Sequence, residues 1–499
     1  MNLYEAFIKS VDRHADRCAL VWDDERMTYA DLLRRVRNVV KYVQRQADYD
    51  PRHVGLLAAN TPHFPIGLFG ILGAGRVVVP WNPMMRAEEI AALSRHAMSR
   101  LLLFDPALET LACAIKSNLG NDIEVVAISE AVERGADLPS PPVTLCGDRS
   151  TATILYTSGT TGDPKGVMLS HRNLYSNYIS YVSVFNFNQH HTFLTVLPLF
   201  HSYAMTANLF GALLSGACMR LFVQFEPRAL LRSMLAERDL VLTAVPPMLH
   251  FVARRAPGEI AGRHGIAYAV SGGGPLPLET ANLFEARLGM EILEGYGLTE
   301  TSPVVAVNRP SMNRVGTIGL PLPDVEVAVR DEQGRDLPTG QVGELCVRGD
   351  LVMEGYYRAP EMTAEVLSPD GWLRTGDLAT MDEDGYIRIA GRLKDLIVDS
   401  GENIYPREIE EVLMRHPAVL EAAVVGHPHR VRSEVPHAFV AFDPEVPDRP
   451  DEAALRVYAR EHLAPYKVPE IFTICSDLPK TATNKIRKEI LRRGLVTVE

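Results

Sequence analysis

The chain predicts an α/β fold built on largely parallel sheets, and three observations carry that expectation. Strand-like apolar runs alternate with helical patterns through residues 1–150 and again over 190–310. Several of those runs are apolar throughout, as strands covered on both faces are. The length of 499 residues exceeds what one hydrophobic core supports, so two or more domains are expected.

Taken in order, Thr28 to Asp31 reads as a helix N-cap followed by a first-turn acid. Leu32, Leu33, Val36, Val39, Val40 and Val43 then follow helical spacing. Residues 54–58 and 100–104 read as buried strands, and so do 194–197 and 240–245. From about residue 315 the pattern changes. Strand-like runs at 325–329 and 344–347 come with turn signals at Glu332-Gln333-Gly334 and Pro338-Thr339-Gly340. A small β-rich subdomain is expected to end a large domain there. The charged run Arg392-Leu393-Lys394-Asp395 marks a boundary. The predicted organisation is a large domain over 1–391, a hinge at 392–394 and a small α+β domain over 395–499.

Apolar residues make up 46% of the chain and charged ones 23%, as in an ordinary globular protein. The net charge of −11 comes with no long basic block, which argues against nucleic acid as a partner. None of the six cysteines forms a C-x-x-C pair, so they are expected to be small buried hydrophobes in a reducing compartment. The N-terminus carries Glu5 and no long apolar core, so no signal peptide is expected. The most apolar window, 66–80, is interrupted by Arg76 and is too short to span a bilayer. A cytoplasmic location is expected.

The run from Tyr156 to Gly166 carries four aliphatic hydroxyls, three glycines and one lysine. Thr157, Ser158, Gly159, Thr160, Thr161 and Lys165 are candidates to hold an oligophosphate, through hydroxyls, amides and one positive charge. A Walker A loop is excluded, because Pro164 precedes the lysine and Gly166 follows it. The strand-like flanks make the loop a hairpin tip instead.

Gly272, Gly273 and Gly274 follow a strand-like run. Alone they read as a tight turn; next to a ligand they let backbone lie flat against a planar group. Glu294-Gly295-Tyr296-Gly297-Leu298-Thr299-Glu300 supplies a ring for stacking in Tyr296, a hydroxyl in Thr299 and a hard carboxylate suited to Mg²⁺ in Glu300. Asp377 follows a tight turn and could accept from both hydroxyls of a ribose, with Arg392 fifteen residues on to reinforce it. Lys485 sits in a polar loop and alone reads as a surface lysine. His201 lies among apolar residues and alone reads as a satisfied core histidine.

Together, in this order and spacing, these motifs resemble the adenylate-forming enzymes: acyl-CoA synthetases, peptide-synthetase adenylation domains and beetle luciferases. The resemblance runs over essentially the whole chain and is nearest to a fatty-acyl or related carboxylate–CoA ligase. It implies a large N-terminal domain of layered α/β subdomains and a mobile C-terminal domain. It also implies ATP, Mg²⁺ and coenzyme A as reactants and cofactors. A carboxylate would attack the α-phosphate to give acyl-AMP, and the coenzyme A thiol would then displace AMP.

By the same resemblance, Ser158, Thr160, Thr161 and Lys165 would hold the β- and γ-phosphates. Glu300 would bind Mg²⁺, Thr299 would reach the phosphates, and Lys485 would bridge the carboxylate and the α-phosphate. Tyr296 would stack on adenine beside Gly272–Gly274, within the stretch that begins at Glu294 and Gly295, and Asp377 and Arg392 would fix the ribose. Lys394 matches the hinge, and Gly401 with Glu402 the segment lining the pantetheine channel.

An acyl pocket is expected near His201, Ala204, Met205, Val245, Pro303 and Val304. Residues 197–205 contain no aspartate to pair an α-ammonium, so an apolar monocarboxylic acid is favoured. Two departures from the family pattern stand out: Asn484 and Ser433 occupy positions usually taken by glycine. Loading of a carrier-protein phosphopantetheine remains an alternative, as does a non-catalytic nucleotide-binding role. The oligomeric state is open, with a homodimer among the options.

Overall fold

The computed structural model describes residues 1–45, 53–139, 146–157, 165–256, 258, 260–399, 402–430, 432–444, 446–480 and 486–494. The fold is α/β, as the alternation predicts. A seven-stranded sheet is built around His53–Leu57, which runs parallel to Val77–Pro80 and to Leu101–Phe104. Beyond Val77–Pro80 come Thr151–Thr157 and, antiparallel to it, Lys165–Ser170. A nine-stranded sheet lines up Leu293–Gly297, Ile266–Ser271, Leu240–Ala244, Thr192–Thr195, Cys218–Leu221 and Cys18–Trp22 as parallel neighbours. Both edges of this sheet are antiparallel.

The helix His63–Gly73 buries every residue after His63. A helix apolar on all sides must be enclosed, and this one shares a core cluster with strands of both large sheets. The apolar window of the sequence is thus a core helix followed by the strand Val77–Pro80. Among the described residues no helix is long and apolar enough to cross a membrane. The helix Tyr29–Arg45 buries the predicted Leu32, Leu33, Val36, Val39, Val40 and Val43.

The change of pattern after residue 315 corresponds to an antiparallel four-stranded sheet of Glu326–Arg330, Gly343–Arg348, Leu373–Met381 and Ile387–Arg392. A single turn, Leu393–Asp395, follows. Residues from Ile397 onward build separate core clusters under a sheet of Ile397–Asp399, Glu402–Ile404, Val419–His429, Ser433–Phe442 and Ile471–Cys475. The C-terminal unit touches the large one through Arg254 Nη1 and Asp443 Oδ2, 2.6 Å apart.

The expectation for the cysteines needs correction. Only Cys346 and Cys475 are buried; Cys113 is exposed, and Cys18, Cys146 and Cys218 are partly so. Cys18 lies at a bulge in the strand beside the edge strand Glu25–Thr28, and Cys218 lies on the next strand inward, a placement that a reading of local sequence does not reveal.

Candidate active site

The strands Thr151–Thr157 and Lys165–Ser170 form a hairpin, with Thr157 opposite Lys165 at the end where the chain connects them. Lys165 is therefore anchored at the foot of the loop. Its Nζ lies 5.2 Å from the centroid of the Tyr356 ring, a distance at which a cation is drawn to the π face. Tyr356 reaches this place because the short strand Gly355–Tyr356 pairs with Val167 and Met168 of the same hairpin. Its phenol donates to Glu300 Oε1 at 3.0 Å. Burial first, then the Glu300 charge, pushes the Tyr356 phenol well above the usual range, so it stays a donor.

Glu300 sits in the turn Thr299–Thr301, and its carbonyl accepts from Met353 N at 2.9 Å. Thr299 Oγ1 is 3.3 Å from Ser202 Oγ. This brings the 299–301 turn next to His201, whose Nδ1 accepts from Tyr203 N at 3.2 Å. His201 is half-buried rather than sealed in the core. After it the chain enters a wide helical turn, Ala204–Phe210, in which Ala204 and Met205 are buried. Thr206 Oγ1 ties this stretch to Ser302 O at 2.9 Å. Val245, Pro303 and Val304 are also buried.

Gly272 must be glycine: a Cβ there would meet the Tyr203 ring at 2.7 Å. Gly273 follows with a φ of +81°, in the left-handed region. Gly274 completes the loop in open space. Behind the loop, Glu294 Oε1 accepts from Leu276 N at 3.1 Å. Glu294 is only 4% exposed, and burial raises its carboxyl to about 7 against the opposing pull of Arg407. Its carboxylate thus supports the glycine loop from behind. Gly295 and Gly297 flank Tyr296 on the strand Leu293–Gly297. A Cβ on Gly297 would come within 1.8 Å of Pro303 O, so the close return of the chain at that point admits no side chain.

Tyr296 donates its hydroxyl to Asp377 Oδ2 at 2.6 Å. Arg392 Nε lies 3.0 Å from Asp377 Oδ1. Asp377 and Arg392 face each other across the hairpin of Leu373–Met381 and Ile387–Arg392. One buried carboxylate, 3% exposed, therefore joins the nine-stranded sheet to the four-stranded one. Its remaining lone pairs are what it can offer to vicinal hydroxyls.

Lys394 is exposed in the single turn after Arg392. Partial shielding of its ammonium by neighbouring groups, then the like charge of Arg392, lowers its pKa. Glu402 is exposed on the hairpin formed with Ile397–Asp399. The predicted Ser158, Gly159, Thr160, Thr161, Gly401 and Lys485 lie outside the described residues, as does Asn484. Among the described residues no group of His, Cys, Asp and Glu side chains forms a multidentate metal cage.

Two side chains that join this site escaped the sequence reading. Tyr356 links Lys165 to Glu300, and Ser202 links the His201 turn to Thr299. Tyr356 stands in no motif, Ser202 merely adjoins His201, and only the folded chain brings them to their partners.

A hairpin that presents Lys165, a glycine-rich turn and a tyrosine–carboxylate–arginine unit together define a nucleotide-using α/β enzyme. The comparisons name the class. Residues 7–357 match the model of the AMP-binding enzyme family, and residues 408–485 match the AMP-binding enzyme C-terminal domain. The chain belongs to the AMP-binding enzyme family, as an AMP-forming acid–thiol ligase that works with ATP, Mg²⁺ and coenzyme A.

A long-chain-fatty-acid–CoA ligase of Yersinia pestis is 33% identical, over 100% of this chain and 95% of its own. A sulfoacetate–CoA ligase of Cupriavidus necator is 34% identical, over 84% of this chain and 83% of its own. The crystal structure of ATP-bound MatB from Rhodopseudomonas palustris superposes with a TM-score of 0.91, at 30% identity over 99% of each chain.

Proposed function

We propose that this chain converts an apolar monocarboxylic acid, fatty or otherwise, to its coenzyme A thioester through an acyl-AMP. The observation that carries the reading is the Lys165–Tyr356–Glu300 unit at the foot of the hairpin loop, beside Thr299. A cation and a positioned hard carboxylate stand together where a triphosphate would lie. Glu300 Oε1 takes the Tyr356 hydroxyl, and its other oxygen is of the type that a hard divalent ion takes. Mg²⁺ bound there would neutralise phosphate charge.

Step one needs no general base, because a carboxylic acid is already ionised at neutral pH. It needs alignment and charge neutralisation. The substrate oxygen forms a bond to the α-phosphorus as the bond to the pyrophosphate oxygen breaks. Lys165 and the Ser158, Thr160 and Thr161 hydroxyls would hold the outgoing phosphates, and Lys485 would bridge the reacting oxygens. Asp377 and Arg392 would orient the ribose, with Tyr296 and the Gly272–Gly274 loop beside the base. In step two the thiol sulfur attacks the acyl carbon, the thiol proton is lost and AMP leaves. Movement of the 395–499 unit about Lys394 would exchange Lys485 for the Gly401–Glu402 segment.

The apolar acid is favoured by the buried Ala204, Met205, Val245, Pro303 and Val304 next to half-buried His201. It agrees with the fatty-acid relative, whereas the sulfoacetate relative is named for a second anionic group. The test is a carboxylic-acid panel scored by AMP release, without thiol, with coenzyme A and with a holo-carrier protein. Apolar acids with coenzyme A should give the fastest release. Preference for a dianionic acid, or for the carrier protein, overturns the respective half of the reading.

A further inference from the structure

Cys18 and Cys218 stand 200 positions apart in the chain, yet their sulfurs lie 3.6 Å from each other. The Cys218 thiol donates to the Cys18 sulfur. Their strands, Cys18–Trp22 and Cys218–Leu221, are parallel neighbours, with Leu20 opposite Met219 and Val21 opposite Arg220. Strict alternation in that register puts Cys18 on the Leu20–Met219 face and Cys218 on the Val21–Arg220 face. A register shift between Cys18 and Leu20, seen against Glu25–Thr28, interrupts the alternation. Such a bulge re-aims a side chain, and here it turns one thiol toward the other.

Both thiols are partly exposed. The Cys218 hydrogen bond, aided by Arg26 and Arg220 against the effect of burial, holds Cys18 below the ordinary thiol range. The Cys18 sulfur and burial push Cys218 up. The neighbouring polar side chains are engaged elsewhere. Arg220 is engaged by Glu237 at 2.7 Å, and the Tyr29 hydroxyl is held by Ala217 O at 2.6 Å. One sulfur is thus placed as a nucleophile and its neighbour as a proton-bearing resolving thiol.

We propose that Cys18 and Cys218 form a reversible thiol–disulfide site that takes a hydroperoxide as its oxidant. The Cys18 thiolate attacks one oxygen of hydrogen peroxide. The O–O bond breaks, the other oxygen leaves and is protonated to water, and Cys18 becomes a sulfenic acid. The Cys218 sulfur then attacks that sulfur. The S–S bond forms, the S–O bond breaks, and a second water leaves with the Cys218 proton. Two thiols lose two electrons and two protons, and one peroxide becomes two waters. Bond formation shortens the 3.6 Å sulfur–sulfur separation to about 2.05 Å. The bond ties the bulged strand to the one that follows the Ala204–Phe210 turn and the short helix Gly211–Leu213. The inference is independent of the acyl substrate and of the reaction at the other end of the sheet.

The test uses the reduced full chain and one equivalent of hydrogen peroxide at neutral pH. Thiols are counted after denaturation, and peptides are mapped without reduction. The expected result is loss of two of the six thiols, with a cross-linked peptide pair containing Cys18 and Cys218 that dithiothreitol separates. Cys18→Ser and Cys218→Ser should abolish the cross-link, and Cys113→Ser should retain it. Oxidation that falls first on exposed Cys113, with no 18–218 peptide pair from the native chain, overturns the proposal. Equal thiol loss in wild type and Cys18→Ser does so too.

Discussion

The Tyr356 hydroxyl donates to Glu300 Oε1 at 3.0 Å across 56 residues of chain, while the Lys165 ammonium lies over the same tyrosine ring. One aromatic side chain therefore sets the position of both charges at the foot of the loop. Tyr356→Phe keeps the ring and removes the donor. A hydrogen bond to a charged group contributes about 1.5–3 kcal/mol. Carboxylate-dependent ATP–pyrophosphate exchange should fall roughly tenfold or more, and half-maximal activity should require more Mg²⁺. Unchanged exchange and an unchanged Mg²⁺ titration contradict the positioning role.

Asp377 holds Tyr296 at one oxygen and Arg392 at the other. Asp377→Ala leaves a half-buried phenol and a half-exposed guanidinium without their shared acceptor. The expected stability loss is about 1–3 kcal/mol, read by urea unfolding. The KM for ATP should also rise at least tenfold, while the KM for the acid stays within a factor of about two. A rise confined to the acid would place the ribose elsewhere.

The division of labour between the two half-reactions is testable at Lys485 and Gly401. Lys485→Ala should lose acyl-AMP formation and still convert supplied acyl-AMP to thioester. Gly401→Leu should do the reverse, since bulk in the thiol channel leaves the ATP site intact. Equal failure of both variants in both half-reactions rules out this assignment.

His171 is 2% exposed, and its Nδ1 accepts from Leu3 N at 3.2 Å. Burial first, then the charge of the N-terminal amine, depresses its pKa from 6.5 to about 4. The folded state therefore keeps the ring neutral while the unfolded chain protonates it near 6.5. The contribution is fully present above that value and is lost as pH falls from there through about 4, a loss of order 3 kcal/mol. In His171→Asn the amide oxygen can accept from Leu3 N without titrating. The fall in Tm between pH 7 and pH 4.5 should be visibly shallower in that variant, and a parallel fall would assign the acid sensitivity elsewhere.

Ser433 has a φ of +72°, in the region that costs an L residue about 1–2 kcal/mol. This gives a physical meaning to the departure from the family's glycine. Ser433→Gly removes the strain but adds freedom to the unfolded chain, so a net gain of about 0.5–1 kcal/mol is expected. Urea unfolding of the C-terminal unit should show it, and a lower midpoint would contradict it.

Much of this was legible in the chain. Repeating apolar spacing placed the helix Tyr29–Arg45 and the strands around His53–Leu57, because periodicity is a local property of burial. Asp377 and Arg392 could be paired from their spacing, because a strand hairpin brings such positions opposite each other. Tyr356 could not be found that way. Its partners come from the 165–170 strand and the 299–301 turn, and no spacing rule joins those three stretches. The cysteines depart from expectation for a related reason: residue type suggests burial, but exposure depends on which face of a helix, loop or bulged strand the residue occupies, as for Cys113 on the helix Glu109–Leu119 and Cys18 at a bulge.

The sequence by itself determined the elements, the glycine positions and the order of the chemical motifs, since these depend on neighbours a few residues away. Tertiary structure alone decided which side chains meet. The Tyr296–Asp377–Arg392 unit exists because two sheets abut, and the approach of Cys18 to Cys218 depends on one bulge that reverses the facing of a single residue. Those outcomes follow from register and packing between distant segments, where a shift of one residue exchanges the two faces of a strand.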